Sequence, residues 1–224
     1  MGKHNGHLVW DWNGTLLDDS KAVIGATNAA FAEIGLEPIT LERYRELYCI
    51  PIPRFYERLM GRLPSDAEWE VMDEAFHRHY SEHRIGCGLT EGVEELLRQW
   101  GLAGRSQSLL SMYGHEQLVP VVRGYGIEEH FIRVDGRTGP SGGTKALHME
   151  RHLAALTEVG VDPYRTVVIG DAADDAVAAA HVGARAVLYT GGSHSRASLE
   201  SAGVGAPVVD SLAEAVEVAA ELVA

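Results

Sequence analysis

The chain has 224 residues, enough for one large domain or for a domain carrying an insertion, and its formal net charge of −13 argues against a nucleic-acid or acidic-membrane surface. Hydrophobic content of 46% suits a packed globular protein, and no apolar run reaches the length of a membrane span. Residues 1–7 are polar, lead straight into a strand and carry no signal-peptide pattern, so the two cysteines, Cys49 and Cys87, are expected as free thiols in a reducing, cytoplasmic compartment.

Leu8, Val9 and Trp10 form the end of a buried strand, and Asp11 stands where the apolar residues stop. Apolar residues then recur at helical spacing from about Ser20 to Gly35. A second helix is predicted over 40–48 with Thr40 as its N-cap, and a third over 54–60 after Pro51 and Pro53. A fourth opens at Ser65, where Glu68 completes a capping box, and runs to about Glu82. Residues 20–84 thus read as consecutive helices inserted between a strand and further αβ units.

The αβ alternation resumes after Gly88. A helix is expected over 93–100, a strand over 106–112, and a helix over 115–125 that has to accommodate Pro120 by a kink or a late start. A short strand over 131–134, a glycine-rich loop over 136–143 and a helix over 145–158 capped by Thr144 follow. Residues 166–170, Thr-Val-Val-Ile-Gly, are the clearest buried strand. An alanine-rich helix over 172–182, strands over 184–189 and 207–209, and a final helix capped by Ser211 and Glu214 complete the chain. The alternation implies a mostly parallel sheet with right-handed crossovers.

Polar residues gather where these strands end, which is where open α/β sheets place their sites. An isolated Asp11-Trp-Asn-Gly-Thr is equally an Asx-type turn, but Asp171 follows the 166–170 strand directly, with Asp174 and Asp175 in the next helical turn. Carboxylates so clustered repel one another, and a hard divalent cation such as Mg²⁺ relieves that. Ser111 follows Leu109 and Leu110 at another strand end. Lys145 opens a helix, a position unfavourable to a cation unless it faces anions, and it is one of only three lysines, with Lys3 and Lys21, against sixteen arginines.

These four features, in this order, resemble the motifs of the haloacid dehalogenase-like hydrolases, over nearly the whole chain. The resemblance implies a Rossmann-like α/β core over 1–19 and 85–224, and a helical cap over 20–84 like that of the phosphoglycolate phosphatase-like branch. It implies that Asp11 is a covalent nucleophile toward phosphorus, that Mg²⁺ is held by Asp11, the backbone carbonyl of Asn13, Asp171 and Asp175, and that Ser111, Lys145 and Thr15 bind the transferring phosphoryl group. The substrate would be a small phosphorylated metabolite, with no nucleic-acid or membrane partner. One position departs from the pattern: the phosphatases have Asp-x-Asp, and here the second place is Asn13, an amide unable to serve as general acid or base. A catalytically weak phosphoryl-binding or regulatory protein is therefore the alternative, and His115 is a candidate substitute proton donor. Other branches fit less well. A metal-free dehalogenase has no use for Asp171 and Asp175. A phosphonatase, which Trp12 resembles, needs a cap lysine where this chain has only Lys21. Arg43, Arg45, Arg54 and Tyr56 are candidate substrate contacts on the cap, or ordinary residues of solvated helix faces.

Overall fold

The computed structural model describes residues 5–139 and 144–224. The central strand β1 (His7–Trp10) is fully buried and is paired in parallel on both sides, by β4 (Ser106–Gly114) and β6 (Thr166–Gly170). Outside β4 lies β5 (Val134–Arg137), and beyond β6 come β7 (Arg185–Tyr189) and β8 (Val208–Val209), giving a six-stranded parallel sheet in the order β5-β4-β1-β6-β7-β8. Side chains alternate across it. Leu8, Trp10, Leu109, Val167 and Ile169 face one apolar layer, shared with helices α5 (Val93–Leu102), α6 (His115–Gly124) and α10 (Leu212–Leu222). Val9, Leu110, Val168 and Leu188 face the other, shared with α7 (Lys145–Glu158), α8 (Ala173–His181) and α9 (Arg196–Ser201).

Between β1 and α5 lie four helices: α1 (Ser20–Glu33), α2 (Leu41–Leu47), α3 (Ile52–Met60) and α4 (Asp66–His83). They bury an apolar cluster of their own that includes Phe31, Tyr44, Phe55, Tyr56 and Met72. Thr40 accepts from Arg43 N and Ser65 and Glu68 close a reciprocal capping box, as their spacing predicts. The block leaves and rejoins the sheet domain through a two-stranded antiparallel ribbon, β2 (Leu17–Asp18) with β3 (Gly88–Leu89).

Several boundaries differ from the sequence reading. The strand expected over 131–134 is β5, three residues later: Val134 and Asp135 pair with Leu109 and Leu110, while Ile132 ahead of them makes one bond to β4, its N donating to Gln107 O at 2.9 Å. Gly136 and Arg137 therefore belong to a strand and not to the predicted loop, whose residues 140–143 lie outside the described ones. Pro120 sits inside α6, which starts at His115 and runs unbroken. Thr144 occupies the N-cap position of α7, but its side chain makes no capping hydrogen bond. The β2–β3 ribbon and α9 were not anticipated, since two-residue strands and a six-residue helix carry too little periodicity to register.

Beneath the sheet runs a buried polar chain. His7 Nδ1 lies 2.8 Å from Ser106 Oγ, and Ser108 Oγ lies 2.8 Å from both His7 Nε2 and His152 Nε2. His152 Nδ1 is 2.7 Å from Asp135 Oδ2, which also pairs with Arg133. One proton arrangement satisfies it throughout: His152 donates to Asp135, Ser108 donates to His152 and accepts from His7, and Ser106 donates to His7.

Candidate active site

The strand register assembles the site. Trp10 lies opposite Ile169 on β6 and Leu109 on β4, so Asp11 emerges beside Gly170-Asp171 on one flank and Leu110-Ser111 on the other. Asp11 N donates to Ile169 O at 2.9 Å, which carries the ladder one residue past β1 and fixes the carboxylate at the sheet edge. Ser111 is not at the end of β4 as expected. The strand continues to Gly114, but its pairing with β5 shifts register after Leu110, and Ser111 sits at that break, buried, with Oγ accepting from Tyr113 N at 3.0 Å.

Asp11, Asp171 and Asp175 are all buried, and each offers an oxygen within 4.8 Å of the others. Lys145, at the first residue of α7, is buried among them and donates to Asp11 Oδ1 and Asp175 Oδ1. Asp175 Oδ2 accepts from Ala172 N at 3.1 Å and Asp171 Oδ2 from Ser193 N at 2.5 Å. Glycines, Gly192 among them, make room. A Cβ on Gly170 would come within 2.2 Å of Asp175, and one on Gly14, whose φ of 70° already disfavours a side chain, within 2.6 Å of Asp171. Burial pushes the Asp11 carboxyl up to about 8 against the pull of Lys145, and it raises Asp171 to about 7 with Asp175 adding repulsion. Burial opposes the charge on Lys145, but Asp11 and Asp175 outweigh it and hold its pKa raised. Three buried carboxyl groups around one ammonium all ionise only beside a further cation, and an all-oxygen donor set of this kind suits a hard divalent one.

A cavity of about 370 Å³ opens over this cluster, walled by Asp11, Asn13, Ser111, Lys145, Asp171 and Asp175 from the sheet domain and by Tyr44, Tyr48, Phe76 and Tyr80 from the helical block. Asp19 also lines it, a residue that carries no motif in the sequence. It is 2% exposed. Its Oδ2 accepts from Asn13 Nδ2 at 2.9 Å and from Tyr80 OH at 2.6 Å, and its Oδ1 accepts from Gly14 N at 2.9 Å. Asn13 Nδ2 also donates to Tyr80 OH at 2.6 Å. The Asn13 side chain is thus clamped between the start of the helical block and α4.

Other candidates lie elsewhere. Thr15 is fully buried, does not reach the cavity wall, and has a hydroxyl without a partner. His115 accepts from Gly136 N at 3.1 Å, away from the cavity. Trp12 packs in the core, its ring 5.8 Å from that of Tyr125. Arg43 and Arg54 pair with Glu46 and Glu57 on exposed helix faces. Arg45 instead ties the helical block to the sheet domain, donating to Gly192 O at 2.7 Å and to Gly191 O at 2.5 Å, and Ser195 N returns a bond to Arg45 O at 3.0 Å.

The model of the haloacid dehalogenase-like hydrolases matches residues 6–183. The chain belongs to that family. Its relatives place it in the phosphoglycolate phosphatase-like branch, among the family's phosphatases. It is 26% identical over 198 residues to the phosphoglycolate phosphatase of Synechococcus elongatus, covering 87% of this chain and 88% of that one. It is also 26% identical over 171 residues to the N-acetylmuramic acid 6-phosphate phosphatase of Pseudomonas aeruginosa, covering 73% and 72%. A crystallised candidate phosphoglycolate phosphatase from Lactobacillus delbrueckii subsp. bulgaricus superposes with a TM-score of 0.78 at 20% identity, over 97% of this chain and 99% of that one, a likeness of fold. Among the described residues no helix is long and apolar enough to cross a membrane.

Proposed function

We propose that this chain is a Mg²⁺-dependent phosphatase of a small phosphorylated metabolite, working in the cytoplasm through an aspartyl-phosphate intermediate on Asp11. The observation that carries the reading is the buried Asp11–Asp171–Asp175 cluster with Lys145 at its centre, open to a cavity. The oxygen-only donors fit Mg²⁺, which Asp11, Asp171, Asp175 and the Asn13 carbonyl would hold and which, when bound, neutralises charge on the phosphoryl oxygens. An Asp11 oxygen bonds to phosphorus as the ester oxygen departs, and water then cleaves the acyl phosphate. Lys145 pulls Asp11 toward its ionised form against burial and orients it, and with the Ser111 hydroxyl it holds the phosphoryl oxygens. Thr15, one shell deeper, supports the turn that carries Gly14. Helices α1–α4 act as the cap, excluding bulk water when Tyr80 and Arg45 reach the sheet domain.

Chelator should abolish phosphate release from a panel of phosphorylated metabolites, and added Mg²⁺ should restore it. Asp11→Asn should fold normally and release none. Full turnover in excess chelator would refute the metal-dependent reading. The clamped amide of Asn13 supports a second reading, a protein that is phosphorylated readily and dephosphorylated slowly. A burst of released leaving group followed by slow phosphate release, with an acid-stable phosphoenzyme trapped after the burst, would favour it.

A further inference from the structure

A second cavity, of about 480 Å³, lies inside the helical block and shares Tyr44, Tyr48, Ile50, Phe76 and His77 with the wall of the catalytic one. That volume is within the range of small-molecule sites, roughly 300–1,000 Å³. Its far wall is aromatic, built from Phe55, Tyr56 and Trp69. These rings pack edge to face or tilted: Phe55 against Tyr56 at 5.4 Å between centroids, Tyr56 against Trp69 at 5.9 Å. Charge is sparse. The two ionisable residues beside the tyrosines, Asp73 and His77, face each other at 3.5 Å and are largely exposed.

The sign of the charge around both cavities is equally informative. Among the described residues no arginine lines either one, and the one lysine that does, Lys145, is occupied by Asp11 and Asp175. Against it stand Asp11, Asp19, Asp171, Asp174 and Asp175 in the catalytic wall. A substrate whose organic part carried a carboxylate, as phosphoglycolate does, would meet carboxylates and rings with no cation to pair with.

We infer that the aromatic cavity of the helical block is the leaving-group subsite, and that it takes an uncharged phenol esterified to phosphate. The inference rests on the phosphatase reading of Asp11. Phosphate sits over the carboxylate cluster, and the ring extends past Tyr44 and Tyr48 toward Trp69, where it gains face and edge contacts at no electrostatic cost. A phenolate departs without a proton donor, so this substrate class also suits a site with an amide at position 13.

The test is kcat/KM of the Mg²⁺-loaded full chain for four esters: 2-naphthyl phosphate, 4-carboxyphenyl phosphate, phosphoglycolate and acetyl phosphate. Acetyl phosphate has an activated leaving group and no ring, so it separates leaving-group chemistry from ring binding. The expected order places 2-naphthyl phosphate roughly tenfold or more above each of the others. Ile50→Arg puts a cation on an exposed residue common to both cavities and should shift the ratio of 2-naphthyl to 4-carboxyphenyl phosphate toward the charged ester. Trp69→Ala should lower the ratio of 2-naphthyl to acetyl phosphate. Equal use of acetyl and naphthyl esters, preference for phosphoglycolate, or ratios unmoved in both variants overturns the subsite while leaving the phosphatase intact. Absence of phosphate release from all four overturns the phosphatase reading and the subsite with it.

Discussion

Asn13 is the residue on which the chemistry turns. Its amide nitrogen sits 2.9 Å from Asp19 Oδ2 and 2.6 Å from Tyr80 OH, so it donates toward a buried carboxylate. Asn13→Asp keeps the size and replaces that donor with a second carboxyl, at a distance where two ionised carboxylates cannot coexist. Burial already raises the Asp19 pKa, against the hydrogen bonds from Tyr80 and Asn13 that lower it. The new pair would hold a shared proton to higher pH than Asp19 alone, and a protonated carboxyl at the cavity wall is a general acid. Such assistance is worth roughly a hundred- to ten-thousand-fold. The expected outcome is a gain in kcat/KM for alkyl phosphates, little gain for aryl phosphates, and a flatter dependence on leaving-group pKa. Equal gains for both classes, or none, would show that position 13 does not limit leaving-group departure.

At the scale of elements, β1, β4 and α7 are joined by the buried chain Ser106–His7–Ser108–His152–Asp135. Ser108→Ala removes the hydroxyl that serves both histidines and should cost about 1–3 kcal/mol in chemical denaturation at pH 8, since each ring is left with an unmade bond. The same chain gives stability a pH dependence. Burial depresses the His152 pKa below the usual 6.5, opposed by Asp135, so His152 binds its proton more readily unfolded. Asp135 is itself lowered: burial would raise it, but His152, Arg133 and their charges prevail. Both groups are depressed on folding, so their contribution is present above about pH 6.5 and is lost as pH falls, first through His152 and then through Asp135. The raised carboxyls of Asp11 and Asp171 act in the opposite sense over the same range, so the check is a difference: the gap in denaturation midpoint between the parent and His152→Gln should shrink as pH falls below about 6.5. A gap constant from pH 8 to 5 would contradict the assignment.

The whole molecule is held closed by few contacts. Apart from the β2–β3 stem, the polar contacts of the helical block with the sheet domain include Tyr80 with Asp19 and Asn13, and Arg45 with Gly191, Gly192 and Ser195, while the Tyr48 ring packs on His194. Ser193, next to Gly192, donates to Asp171, so this loop touches both the cap and the candidate metal site. Hydrogen bonds to a charged group are worth about 1.5–3 kcal/mol. Arg45→Ala should leave far-UV circular dichroism unchanged and lower kcat/KM by roughly tenfold through a higher KM, since the open form gains at the expense of the closed one. A fall in kcat alone would place Arg45 in support of Asp171 and not in closure.

The parallel α/β class, the helical block after β1, and Asp11, Ser111, Lys145, Asp171 and Asp175 were legible in the sequence. Apolar runs that stop at a polar residue mark the ends of buried strands, and the family's motifs retain their order. The sequence could not pair the strands. Only the register of β1 with β4 and β6 brings Asp11, Asp171 and Ser111 to one edge, and only burial separates Lys145, ion-paired at the centre, from the solvated Arg43 and Arg54. Asp19 and Tyr80 carry no motif in the sequence, and Arg45 reads there equally as a substrate contact or a solvated helix-face residue. The structure gives them partners in the other domain, because a side chain's partners across 61 or 147 residues depend on how helices pack, and hydrophobic periodicity specifies which face is buried without specifying what it meets.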